Sequence, residues 1–349
     1  MIRALHLSVL VLLAACAGGD DPSGTGDPTD ETGDTGIVEQ APDYAAWGAW
    51  SVGTVQGTVD GPEGPLTAQF WYPSDDAQGS GERYDGLLQG VATEGLTPSC
   101  DETHPVMVFS HGLGGVRWQS PFFVEHLASH GFLVVAVDHT GSGLTDTNFA
   151  ELGAVAMRRP LDVAAAFDGL VDAYPDCVDP EAGYAVSGHS FGGFTAFAAA
   201  GAELNDPTNG NAPTTRGDDR VWAAIGLAPW DGGGVITDGN ALIEVPTLIL
   251  AGREDTTTPL LQVRGLWRPL EVTPRAFGIL DNAGHYTFSP VACLLETGDG
   301  CGPGFLSEDE SNPLIQQASA AFLFEQLGVA GAAEQVEVDA AAYTWESQR

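Results

Sequence analysis

The chain has 349 residues, with 48 Asp and Glu against 12 basic residues, all arginine, for a formal net charge of −36. That balance excludes nucleic-acid partners and polybasic lipid anchors, which both depend on clustered positive charge. With 43% hydrophobic and 17% charged residues, the chain can still bury a large core, and its length allows one large or two ordinary domains.

The first sixteen residues, MIRALHLSVLVLLAAC, place Arg3 before a short apolar run and small residues, the layout of an export signal. The run is too short to span a bilayer, which takes about 20 apolar residues. Its ending, Leu13-Ala14-Ala15-Cys16, resembles the lipobox of bacterial lipoproteins. The resemblance implies cleavage before Cys16 and acylation of that cysteine. Ala17, where an aspartate would retain the protein elsewhere, points to the outer membrane of the cell envelope. An ordinary secretory signal, with Cys16 incidental, is the alternative. Residues 17–43 hold eight acids, no base and few apolar side chains, so they cannot offset their ordering entropy by burial. The expected organisation is a signal peptide at 1–15, an acidic tether at 16–43 and one folded domain at 44–349.

Within that domain, Trp47–Val59 and Leu66–Tyr72 are rich in Val, Thr and aromatics and read as antiparallel strands around a GPEGP turn. From residue 105 short apolar runs alternate with helical stretches. The runs are PVMVFS, FLVVAVD, YAVSGHS, VWAAIGL, TLILAG and AFGILD. The helical stretches are Pro121–His130, Val155–Ala173, Gly193–Ala200, Leu260–Trp267 and a last one near Asn312–Leu327. Unbroken apolar strands alternating with helices predict a mainly parallel central sheet covered on both faces, an α/β class. Ala202–Arg220 reads as a polar surface insertion.

Gly188-His189-Ser190-Phe191-Gly192 fits a G-x-S-x-G turn, with an apolar strand running in and an Ala/Phe-rich helix running out. A serine hydroxyl is a poor nucleophile unless a base and an oriented carboxylate assist it. Asp255 follows the apolar strand TLILAG, and His285 follows the next strand in DNAGHYTF. The order Ser190, Asp255, His285 is that of the α/β-hydrolases. The loop His111-Gly112-Leu113-Gly114-Gly115, directly after PVMVFS, is glycine-rich enough to bring backbone N–H groups to a substrate oxygen. The amides of Leu113 and Phe191 are the expected oxyanion donors. His189 is expected to be structural, His139 follows a strand end close to the rim without an assigned role, and His104, His126 and His130 are expected to be solvated or capping.

The stretches PVMVFSHGLGG, LASHGFLVVAVDHTGS and GHSFGG resemble the platelet-activating-factor acetylhydrolases and their bacterial relatives, over roughly residues 65–290. This implies an α/β-hydrolase fold and a metal-free, cofactor-free serine esterase for short-chain or lipid-like esters. The acid departs from that family's pattern, because Ala228 stands where its aspartate would be. Instead APW, VPTLILAGREDTTTP and GHYTFSP resemble the bacterial polyester hydrolases of polyethylene terephthalate and cutinase type. Their acid matches Asp255 and their aromatic wall matches Trp230, while Asp231 is the competing acid. Trp230, Tyr286 and Trp118 are the expected substrate-lining residues. A polyester hydrolase and a catalytically silent surface-binding copy of the fold are the alternatives.

Apart from Cys16, four cysteines remain, and they allow three pairings. Cys293 and Cys301 flank a short loop and can close it locally, which leaves Cys100 for Cys177. In the sheet of the resembled family the third and fifth strands are neighbours, and Cys100 and Cys177 lie just upstream of those strands here. The protein is expected to be a monomer. Eight of its 48 acids lie in the tether, so the acidity belongs chiefly to the folded body. Such a surface favours neutral or zwitterionic esters over polyanionic ones.

Overall fold

A computed structural model describes residues 41–236, 238–294 and 298–348. The expected signal peptide, Cys16 and all but the last three residues of the expected tether lie outside them. Residues 41–43 already pack against the body. Ala41 is buried, Pro42 accepts a hydrogen bond from Gln335 Nε2 at 2.8 Å, and the Tyr44 ring stacks on Phe324 at 5.0 Å.

Every residue of VMVFS and LVVAV is buried, which requires strands covered on both faces. Nine main strands are β1 (Ser51–Gly61), β2 (Gly64–Ser74), β3 (Val106–Ser110), β4 (Leu133–Val137), β5 (Tyr184–His189), β6 (Val221–Leu227), β7 (Thr247–Gly252), β8 (Arg275–Leu280) and β9 (Tyr343–Gln348). They join in the order β9-β8-β7-β6-β5-β3-β4-β2-β1, with the two-residue strand Thr93–Glu94 at the far edge. The block from β4 to β8 is parallel, β1 with β2, β2 with β4 and β9 with β8 pair antiparallel, and Thr93–Glu94 joins β1 in parallel. This is the α/β class that the alternating pattern predicts.

Alternate strand residues enter opposite cores. On one face Val106, Val108 and Val186 pack with α2 (Leu152–Ala173), α3 (Phe191–Ala199) and α4 (Leu260–Trp267). On the other, Met107, Phe109 and Val134 pack with α1 (Pro121–Ser129) and α5 (Glu308–Gln326). Helix α5 starts four residues before the expected Asn312. Ser307 and Glu310 form a reciprocal capping box, and three acids fill the first turn. The insertion carries a small hairpin, Glu203–Asp206 with Ala212–Thr215. The edge strand β9, sequence YTWESQ, lacks a continuous apolar run and has no sequence signal of the kind the central strands carry.

Cys100–Cys177 and Cys293–Cys301 are both bonded, with Cα atoms 4.4 and 5.4 Å apart. The first joins the approaches to β3 and β5, which are adjacent and in register from Val106 with Tyr184 to Ser110 with Gly188. After β3 the chain builds β4 on one side, then crosses to β5 on the other. The carboxyl ends of β3 and β5 therefore flank a topological switch point, where open α/β sheets hold their ligands.

Candidate active site

Ser190 stands at that switch point, between the end of β5 and the first turn of α3, with φ 57° and ψ −115°. A non-glycine residue there is strained, and its neighbours must make room. A Cβ on Gly192 would lie 1.8 Å from Ser110 O, and one on Gly188 would lie 2.3 Å from the Gly192 backbone, so only glycine fits either position. The turn is fixed to β6 by Ser190 N donating to Leu227 O at 2.9 Å and by Trp230 N donating to Ser190 O at 3.0 Å. Phe191 opens α3, so its N–H has no acceptor within the helix.

The loop after β3 is pinned on both sides of Leu113. Gly112 N donates to Gln119 Oε1 at 2.9 Å, and Gly114 N donates to Ser142 O at 2.8 Å. Gln119 Nε2 then donates to His189 Nδ1 at 3.1 Å, and His189 Nε2 donates to His285 O at 3.0 Å. His189 is therefore a neutral structural link between the glycine-rich loop and the histidine loop. Burial first, then the adjacent His285, pushes its pKa well below the ordinary range.

His285 Nδ1 donates to Asp255 Oδ2 at 2.9 Å, and both residues are buried. Asp255 Oδ1 accepts from Thr257 N at 2.9 Å and Thr258 N at 2.6 Å, while Thr258 Oγ1 donates to Oδ2 at 2.8 Å. With Nδ1 occupied, the imidazole keeps Nε2 as its acceptor. Asp231 has other partners, since its Oδ1 accepts from Gly233 N at 2.9 Å and from Gln262 Nε2 at 2.5 Å. Ala228, directly after β6, bears no acid, and its carbonyl oxygen lies 3.2 Å from Thr258 Oγ1.

Ser190, His285, Leu113, Phe191, Trp230 and Tyr286 line one cavity of about 520 Å³. That volume suits a small ligand. Apolar groups at its mouth include the exposed Leu87, Leu144 and Leu294. Trp230 meets the Phe191 ring edge-on at 5.2 Å. Trp118, expected to line the cavity, is not among the described residues that do. It is 1% exposed, stacks on Tyr84 at 6.0 Å and donates its indole N–H to Asp85 Oδ2 at 3.0 Å, away from the Ser190 cavity. The chain turns inward before Pro121, so this ring belongs to the core around α1.

Other histidines differ from the sequence expectation as well. His104 is buried between Gly131 O and Ser99 O. His126 is buried as well and reaches Ala46 O, whereas His130, which also reaches Ala46 O, is half-buried and caps the end of α1 as expected.

The profile of a family described as Chlorophyllase matches residues 95–233. Cutinase 2 of Thermobifida cellulosilytica is 28% identical over 192 residues, covering 54% of this chain and 63% of its own length. Cutinase cut1 of Thermobifida fusca is also 28% identical, with 54% of this chain and 52% of its own length covered. The matched region thus spans less than two thirds of these relatives. A ferulic acid esterase from Streptomyces cinnamoneus superposes with a TM-score of 0.64 at 21% identity, over 87% of this chain and 99% of its own. The chain has the α/β-hydrolase fold.

Two parts of this α/β-hydrolase site were not singled out from the sequence. Beneath the glycine-rich loop, Ser110 Oγ lies 2.9 Å from His139 Nε2, and His139 Nδ1 lies 2.9 Å from Asp162 Oδ2. Arg159 donates to Ser110 Oγ at 3.0 Å and to His111 O, and its guanidinium covers the Phe191 ring at 4.5 Å. His139 thus supports the loop from below and does not reach the cavity. The spacing of Arg159 and Asp162 on α2, one helical turn apart, is the sequence signal for this network.

The second part is Asp299, in the loop closed by Cys293–Cys301. Its Oδ1 accepts from His285 N and Thr256 N, both at 3.0 Å, and its Oδ2 accepts from Thr256 Oγ1 at 3.0 Å and Thr257 Oγ1 at 2.5 Å. One carboxylate therefore joins the loop that carries Asp255 to the loop that carries His285. No short motif marks such a residue, since its partners lie up to 43 positions away.

Proposed function

We propose that this chain is a serine carboxylic-ester hydrolase working through an acyl-enzyme. The observation that carries the reading is Ser190 on a strained turn, sharing a cavity with a His285 whose Nδ1 is held by Asp255 at 2.9 Å. Ser190 Oγ attacks the ester carbonyl while His285 Nε2 takes its proton. The amides of Leu113 and Phe191 donate to the tetrahedral oxyanion. Collapse releases the alcohol, which takes the proton from His285, and leaves an acyl group on Ser190. Water, deprotonated by His285, then attacks that acyl group, His285 returns the proton to the departing Ser190 Oγ, and the acid is released. Asp255 holds the ring and stabilises the transient imidazolium.

Among ester classes, the cutinase-like reading is favoured over the acetylhydrolase-like one. The acid follows β7, as in the resembled polyester hydrolases, and Ala228 occupies the acetylhydrolase position. The two curated relatives named above are cutinases. Neutral short-chain and aromatic esters are the proposed substrates. The test is covalent labelling with a fluorophosphonate. Stoichiometric loss of nitrophenyl butyrate turnover, with phosphonylation mapped to Ser190, is expected. An active enzyme that resists the reagent, or that is labelled elsewhere, would overturn the mechanism, and a chain without turnover would favour the silent binding protein.

We further propose that acylated Cys16 anchors this hydrolase to the bacterial envelope, with the acidic segment after it as the spacer. The lipobox-like LAAC supports this. Two acyl chains are sufficient for stable anchoring. Metabolic labelling with a palmitate analogue should mark the wild type and leave Cys16→Ser unmarked, with the variant released into the soluble fraction. An unlabelled wild type sinks the anchor.

A further inference from the structure

A second cavity, of about 460 Å³, lies beside the one that holds Ser190, and Trp230 and Leu152 line both. Its walls come from three places: the start of α2, the hairpin of the insertion, and the run Gly232-Gly233-Gly234 after Trp230. All three glycines have left-handed φ values, 74°, 66° and 91°, a course that side-chain-bearing residues rarely follow. A Cβ on Gly233 would stand 3.3 Å from the Trp230 ring. The hairpin is tied to this run by Asn205 N donating to Val235 O at 2.8 Å. The central sheet does not require the hairpin, which pairs only with itself.

Charge provides an independent constraint. The chain carries 48 acids against 12 bases, yet among the described residues neither cavity is lined by an Asp, Glu or Arg. The uncharged side chains Asn205 and Asn211 and glycine backbone supply the polar groups of the second cavity. An uncharged lining in both cavities, one of which holds the nucleophile, suits a neutral ligand that extends past Trp230 within so acidic a body.

We infer that the second cavity is a distal subsite for the same substrate, so that the favoured ester is uncharged and has two bulky parts, one on each side of Trp230. The inference rests on the hydrolase reading above and makes the insertion hairpin a specificity element. A ligand confined to the Ser190 cavity gains nothing from the second. A two-ring ester gains apolar burial there.

The test compares kcat/KM for ethylene glycol dibenzoate with that for nitrophenyl acetate in the full chain. Asn205→Trp places an indole in the distal cavity, and the dibenzoate-to-acetate ratio is expected to fall tenfold or more. Val235→Ala removes side-chain volume from the same wall and is expected to change the ratio at least threefold. It gives the reading should Asn205→Trp fail to show a wild-type circular dichroism spectrum. A ratio within twofold of wild type in the folded variants overturns the subsite. Absence of turnover of both esters by the wild type overturns the hydrolase reading instead.

Discussion

Asparagine at position 255 is expected to lower kcat for a soluble ester by about 10⁴-fold, a loss of the size that follows when a triad histidine is held in the wrong tautomer. The reason lies in which oxygen is already committed. Asp255 Oδ1 accepts from Thr257 N and Thr258 N, so an asparagine must put its carbonyl oxygen there. Its NH₂ then replaces Oδ2, 2.9 Å from His285 Nδ1, where only a donor is found in the wild type. His285 is driven to carry its proton on Nε2 and can no longer accept one from Ser190. Asp231→Asn keeps an oxygen for Gly233 N and Gln262 Nε2, so its rate should remain within about twofold. Ser190→Ala should be at least as damaging as Asp255→Asn, and adding Asp255→Asn to it should cost almost nothing more, because the three residues act as a unit. Steady-state kinetics on nitrophenyl butyrate check all four variants. Near-normal turnover by Asp255→Asn would move the acid role elsewhere.

The parts of this site legible in the sequence are those whose chemistry is local. The elbow needs glycine on both sides of Ser190 within five residues, and the acid and base each follow an apolar strand. Strand burial on both faces makes those runs conspicuous, and the register of β3 with β5 follows once their order is known. The disulfide Cys100–Cys177 follows from the strand order that the resembled family implies, together with local closure of Cys293 and Cys301. Trp118 shows the opposite case. An aromatic ring next to a glycine-rich loop has equal claims on the cavity and on the core, and only the course of the chain into α1 decides between them. Arg159 and Asp299 act across long sequence separations, through backbone carbonyls and amides that carry no residue identity. Strand β9 was hidden because an edge strand with a solvated face shows no continuous apolar run.

Removing the carboxylate of Asp299 tests whether the two catalytic loops depend on each other. Asp299→Ala leaves His285 N and the amide and hydroxyls of Thr256 and Thr257 without their common acceptor. Hydrogen bonds to a charged acceptor contribute about 1.5–3 kcal/mol each, and water replaces part of that at a half-exposed site, so a stability loss of about 3 kcal/mol is expected. Displacement of the imidazole by about 1 Å costs on the order of 10²-fold in kcat, with KM little changed. Asp299→Asn keeps one acceptor and should retain more activity than the alanine variant. Its pH behaviour separates electrostatics from packing. Burial raises the Asp299 pKa, but the hydrogen bonds from Thr257, His285 N and Thr256 outweigh it and leave the group below the ordinary carboxylate range. A depressed folded-state pKa contributes stability that is fully present above the unfolded aspartate value, about 3.9, and is lost as pH falls through the folded value. The stability gap between wild type and Asp299→Asn should therefore be constant from about pH 5 to about pH 8 and shrink only in strong acid. Urea titrations across that range measure the gap. A gap that closes already near neutrality, or an Asp299→Ala enzyme with wild-type kcat, would show that the His285 loop holds its position without this carboxylate.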